Sequence, residues 1–88
     1  MTDTQLLIVE ICEEIKELLL EKNRKYGDSA IHPIRIFSKS NNLEQILVRI
    51  DDKINRIKNI QADEDEDVIN DLIGYFILYK VAKKSNNN

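Results

Sequence analysis

Glycine, proline and cysteine are scarce in this chain, and tryptophan is missing. Two glycines and one proline in 88 residues argue against a turn-rich β fold. A single cysteine, Cys12, cannot form an internal disulfide and points to a reducing compartment. It falls on the apolar side of the first helical segment, where a buried, inert thiol is expected. The lone histidine, His32, leaves a zinc site short of ligands and reads as a polar loop residue. No Ser-His-Asp set, Walker A loop or dinucleotide fingerprint is present. No apolar run approaches the roughly 20 residues of a membrane span, and the first residues lack the basic region of a secretory signal. A cytoplasmic protein without a membrane partner is expected. The net charge of −3 argues against bulk nucleic-acid coating, although a local basic ridge can still meet phosphates.

What remains is a helical composition, rich in Ile and Leu, with charged residues at 33%. The length predicts one domain over residues 1–84, with Ser85 to Asn88 as a disordered tail. So small a chain buries a limited share of its surface and often relies on oligomerisation. Three helices are predicted. The first runs from Thr4 to Arg24, capped among Thr2, Asp3 and Thr4 and ended by Gly27. Ile8, Ile11, Cys12, Ile15, Leu18 and Leu19 form its apolar stripe. Glu10, Glu14, Glu17 and Glu21 form an acidic stripe nearly opposite, with Glu13 at its edge.

The second helix is predicted from Leu43 to Asn59, capped by Asn41 or Asn42. Its core stripe is Leu43, Ile46, Leu47, Ile50, Ile54 and Ile57. Beside that stripe Arg49, Lys53 and Arg56 recur at i, i+4 and i+7, a basic ridge whose stems can pack while the heads reach out. The third helix is predicted from Asp63 or Glu64 to Lys83, with acids at its start and lysines at its end, as the macrodipole favours. Its apolar residues nearly encircle the axis, which implies partners on several sides and hence a homo-oligomer. Between Tyr26 and Asn42 lies a connection too long for a plain turn. Ile31, Ile34, Ile36 and Phe37 suit it to an ordered loop or a short extra helix that docks by its apolar groups. The expected fold is therefore all-α, three main helices and a long ordered loop, completed by homo-oligomerisation.

Four features carry candidate chemistry, each with a plainer reading. The acidic stripe has the oxygen ligands that Mg²⁺ prefers, but spacing alone favours a solvated helix face. Asp71, with Glu64 and Asp67 on the same side of its helix, sits one turn inside among apolar neighbours. A carboxylate there must be hydrogen-bonded, metal-bound or paired, Lys53 and Arg49 being the candidate partners. The ridge of Arg49, Lys53 and Arg56 suits phosphate, or it serves to balance the surplus acids. In "KNRKYGDS", Tyr26 offers a flat face and a hydroxyl to a base or sugar. A charged helix end with a capped turn explains Gly27 and Asp28 by themselves.

Taken in order, "KNRKYGDS" (Lys22 to Ser29), "LEQILVRIDDKINRIKN" (Leu43 to Asn59) and "EDEDVINDLIGYFILYK" (Glu64 to Lys80) resemble the nucleotide-modification-associated domain family. These are small proteins frequent in bacteriophages. That family looks like a branch of the all-α NTP pyrophosphatases, the MazG and dimeric dUTPase superfamily. The resemblance implies a helical dimer or tetramer in a host cytoplasm. It implies hydrolysis of a nucleoside triphosphate to monophosphate and pyrophosphate, with Mg²⁺ held by paired carboxylates. Glu14 and Glu17 match the first pair, and Glu10 with Glu13 gives another register. Asp71 matches the last carboxylate. Three residues before it stands Val68, so Asp67, four before, takes the remaining place. Lys22, Tyr26, Ser29, Lys53 and Arg56 match the narrower pattern and would meet the nucleotide. A chain with this altered carboxylate set also suits a protein that binds and sequesters a nucleotide, or a cyclic-nucleotide defence signal, without cleaving it. A structural interaction module, its acidic face serving only solubility, is the third possibility.

Overall fold

The computed structural model describes residues 1–28, 31, 41–59 and 65–86, with the backbone alone at 65–67 and 86. Three helices, α1 (Asp3–Tyr26), α2 (Asn42–Lys58) and α3 (Asp65–Asn86), make up the described chain, and no strand occurs among these residues. The expected all-α class is what the protein adopts.

Both ends of α1 and the start of α2 have a local cause. Thr2 caps α1 through a reciprocal pair: its Oγ1 accepts from the Gln5 N–H at 3.1 Å, and its own N–H donates to Gln5 Oε1 at 2.9 Å. Two of the otherwise unpaired amide groups at the helix start are satisfied this way. At the far end Gly27 takes φ 67°, and its N–H donates to the Asn23 carbonyl at 2.7 Å. A residue with a β-carbon is strained at that φ. Asn23 Nδ2 closes the turn by donating to Asp28 Oδ1 at 2.8 Å. On α2, Asn41 Oδ1 accepts from the Glu44 N–H at 2.8 Å. Its neighbour Asn42 is buried and donates to the Ile31 carbonyl at 2.9 Å.

The core is narrower than the apolar stripes suggest. Ile46 and Ile50 of α2 pack with Ala82 of α3 and with Ile31. Leu43, Leu72, Tyr75, Leu78 and Tyr79 close around them. Helices α2 and α3 thus form the main hairpin. Leu47, Ile54 and Ile57, expected in the core, are exposed. Helix α1 joins through its second half. Ile15 is buried, and Leu19 lies over Gly74, where an added β-carbon would come within 3.0 Å of Leu19 Cδ2. Ile8, Ile11, Leu18 and Cys12 are exposed instead of buried. The buried thiol is therefore corrected: among the described residues nothing covers Cys12, which is exposed. On α3, Val68 and Ala82 are buried while Ile69, Phe76, Ile77 and Val81 are exposed.

Two further expectations change. The helix does not stop at Lys83 but continues through Ser85 to Asn86, so these two residues of the expected tail are helical, and residues 87–88 lie outside the described residues. In the long connection, Ile31 is buried and its N–H donates to the Asp28 carbonyl at 2.9 Å. Ile34, Ile36, Phe37, His32 and Ser29 lie outside the described residues.

Candidate functional site

The site grows from one carboxylate that touches all three helices. Asp71 stands on α3 one turn before Tyr75. Its Oδ2 lies 3.0 Å from Lys53 Nζ of α2, and its Oδ1 lies 3.4 Å from Lys22 Nζ of α1. The Asp71 side chain is 28% exposed and that of Lys53 18%, whereas that of Lys22 is 50% exposed. Burial pushes the Asp71 carboxyl up. The hydrogen bond and charge of Lys53, followed by those of Lys22, outweigh that burial and hold it below the ordinary value of 3.8. Asp71 thus stays ionised at neutral pH and acts as a counter-ion. Of the two basic partners considered from sequence, Lys53 is the one that pairs with it and Arg49 is not.

Around this carboxylate opens a pocket of about 480 Å³. Helix α1 supplies Leu18, Leu19, Lys22, Asn23 and Tyr26. Arg49 enters from α2, and Asp71, Gly74, Tyr75 and Leu78 from α3. The absence of a side chain at Gly74 leaves room for Leu19, which sets how closely α1 approaches α3. A second groove of about 490 Å³ holds Arg49, Asp52, Lys53 and Arg56. Arg49 and Tyr75 line both, so the apolar pocket and the basic groove adjoin. Arg49 and Arg56 form no ion pair among the described residues. Their guanidiniums are thus unpaired beside Asp52 of the same groove, a state that leaves them open to a bidentate anion. Tyr26 is exposed, with Lys25 Nζ 5.3 Å from its ring centroid.

The predicted residues fall into separate groups. Lys22, Tyr26, Arg49 and Asp71 meet in the pocket, and Lys53 and Arg56 meet in the adjoining groove. Glu14 and Glu17 are exposed on α1 and line neither. Their stripe is laced to local cations: Glu13 lies 2.7 Å from Lys16, and Glu21 lies 2.6 Å from Arg24. Asp67 is placed on α3 by its backbone alone, and Ser29 lies outside the described residues. No three metal-ligating side chains converge among the described residues. Of the two carboxylates that line the pocket, Asp71 already accepts two ammonium groups, and Asp28 accepts from Asn23 Nδ2. The side chains on view therefore do not fit a Mg²⁺ centre.

Sequence reasoning missed Asn23 and Tyr75, which line the pocket. Tyr75 follows Asp71 by four residues and so shares its helix face, a usable signal. Lys22 follows Leu18 by the same spacing, which already aims it along the apolar side of α1.

The three helices and their joint pocket define a small all-α protein with an apolar cleft beside a basic groove. Compared with models of known families, with curated proteins and with solved structures, the chain matches none.

Proposed function

We propose that the chain is a nucleotide-binding protein whose cleft takes the base or sugar and whose basic groove takes phosphate. The observation that carries this reading is the junction of the two spaces at Arg49 and Tyr75. An aromatic and aliphatic wall suits a base. Arg49 and Arg56, neither held in an ion pair, suit a phosphate, since a guanidinium offers two parallel donors. The resemblance of the Lys22–Ser29, Leu43–Asn59 and Glu64–Lys80 segments to the nucleotide-modification-associated domain family supports the same reading. Further copies of the chain, as dimer or tetramer, belong to it as well.

Between sequestration and Mg²⁺-dependent hydrolysis, the arrangement of carboxylates favours sequestration. Asp71 is held by Lys53 and Lys22, and Glu14 and Glu17 stand outside the cleft. The chain's own groups then do the binding: Arg49 and Arg56 orient the phosphate, and the Lys53–Asp71–Lys22 link keeps the three helices around the ligand.

The test is thermal unfolding and calorimetric titration with nucleoside mono-, di- and triphosphates and cyclic nucleotides. A ligand should raise the unfolding temperature and be recovered intact. Arg49→Ala should weaken its binding by roughly tenfold or more, a lost charged hydrogen bond of about 1.5–3 kcal/mol. The unfolding temperature of the free protein should barely change, because Arg49 is exposed and unpaired. If no nucleotide shifts the protein, the reading is wrong. Pyrophosphate release with Mg²⁺, lost in Asp71→Asn, would replace sequestration by hydrolysis.

A further inference from the structure

The cleft has two chemically different ends. Arg49 and Tyr75 mark the end that opens into the basic groove. Asn23, Asp28 and Asn70 line the cleft but not that groove. On α3, Asn70 and Tyr75 stand roughly 140° apart around the axis, with Gly74 and Asp71 between them. Gly74 meets Leu19 of α1, so Asn70 borders the α1 side and Tyr75 the α2 side.

The polar groups at the α1 end are not used up by the fold. Asn23 Nδ2 donates to Asp28 Oδ1 at 2.8 Å and to the Gly27 carbonyl at 3.3 Å. The Asp28 carbonyl accepts from the Ile31 N–H at 2.9 Å. These bonds hold the Asp28 carboxylate in place and leave its Oδ2 unpaired among the described residues. Asn70 is half-buried and has no hydrogen-bond partner among the described residues. No enclosed side-chain nitrogen or oxygen goes unpaired among them, so the Asn70 amide reaches accessible space.

We infer that this end of the cleft selects guanine, an inference that rests on the nucleotide reading given above. A carboxylate accepts hydrogen bonds and has none to donate. It calls for a base edge with adjacent donors. Guanine presents two, N1–H and N2–H₂, beside the O6 acceptor. Asp28 accepts from both donors, in charge-assisted bonds, and Asn70 Nδ2 donates to O6. Adenine carries a bare acceptor where guanine has N1–H. Uracil and thymine flank a single donor with two carbonyls, and cytosine sets one amino group beside two acceptors. Each of these turns a lone pair toward the carboxylate and leaves polar groups unmatched. With the base on Asp28, the phosphates lie toward Arg49 and Arg56 and away from the Asp28 charge.

The test is calorimetric titration of the full chain with the 5′-mono- and triphosphates of guanosine, inosine, xanthosine, adenosine, uridine and cytidine, and with their 2′-deoxyguanosine counterparts. Guanine should bind at least about tenfold tighter than adenine, uracil or cytosine. Inosine, which lacks the 2-amino group, should lose roughly tenfold against guanosine. Asp28→Asn keeps an oxygen to accept from Asn23 and turns the other carboxylate oxygen into a donor. Xanthine has a carbonyl oxygen in place of the 2-amino group, so this variant should bind xanthosine nucleotides tighter than guanosine ones. A mere folding defect weakens both alike and cannot reverse their order. Asn70→Ala should weaken guanosine and inosine nucleotides equally, since both keep O6. Binding of all the bases within about threefold of one another overturns the inference and leaves the nucleotide reading standing. Binding of none overturns both. An unchanged preference for guanosine over xanthosine nucleotides in Asp28→Asn also overturns the inference. So does a preference for ribose over deoxyribose that Asp28→Asn abolishes without any choice of base, because Asp28 would then hold the sugar.

Discussion

Replacing Asp71 by Asn tests whether that carboxylate is the counter-ion that ties the helices together. The substitution keeps the shape and removes the charge. Lys53, with an 18% exposed side chain 3.0 Å away, then loses its partner. At an effective dielectric near 20 the gross attraction is about 4 kcal/mol at 4 Å. Much of it is offset by the desolvation of two partly buried groups. Lys22 is half exposed at 3.4 Å, so its share is screened and adds at most a few tenths. The net loss should be about 1–2 kcal/mol, placed between exposed pairs and fully buried ones. For a domain of this size that is roughly 5–15 °C in unfolding temperature, read by circular dichroism at fixed protein concentration.

The sign with pH follows from the direction of the shift. The folded carboxyl lies below its ordinary 3.8. Its contribution is thus present in full above the unfolded value and disappears as pH falls through the folded one. The native chain and Asp71→Asn should differ most at neutral pH and converge in acid below the folded value. A cycle with Lys53→Met should show the two changes overlapping, with the double variant close to either single one. Equal stabilities at neutral pH would refute the counter-ion role. So would stabilisation by Mg²⁺ in the native chain that Asp71→Asn abolishes, since that would make Asp71 a metal ligand.

Two backbone positions give further checks. Gly27→Ala should cost about 1–3 kcal/mol, because φ 67° with ψ −156° is a conformation that residues with a β-carbon rarely adopt. Open space around its Cα leaves no steric reason for a larger loss, so a much greater effect in chemical denaturation would contradict the conformational account. Asn42→Ala should cost about 1–3 kcal/mol, since it removes the donor to the Ile31 carbonyl from a buried position. Faster amide exchange at Ile31 should accompany that loss. An unaffected Ile31 would show that its docking rests on apolar packing alone.

The parts of the fold that are local were legible. The caps were narrowed to Thr2, Asp3 or Thr4 and to Asn41 or Asn42, because a cap satisfies amides within three residues, and the helices use Thr2 and Asn41. Gly27 announces its turn because only that residue takes the left-handed conformation without strain. Arg49, Lys53 and Arg56 share a ridge because helix periodicity requires it. The second helix came within one residue at each end for the same reason. Where propensity gave no stop signal, as at Ser85, the helix ran on.

Apolar periodicity showed which side of each helix needs cover and could not show how much of it a single chain provides. Leu19 over Gly74 fixes the approach of α1 to α3, and that contact belongs to neither helix alone. It sets Lys22 beside Asp71, leaves Glu14 and Glu17 out of the cleft, and strands Ile8, Ile11 and Cys12 on the surface. The sequence by itself determined three helices, their caps and their faces, because these depend on neighbours within a few residues. Tertiary packing alone decided which carboxylate meets which cation, because a register between helices is set by side chains far apart in the chain.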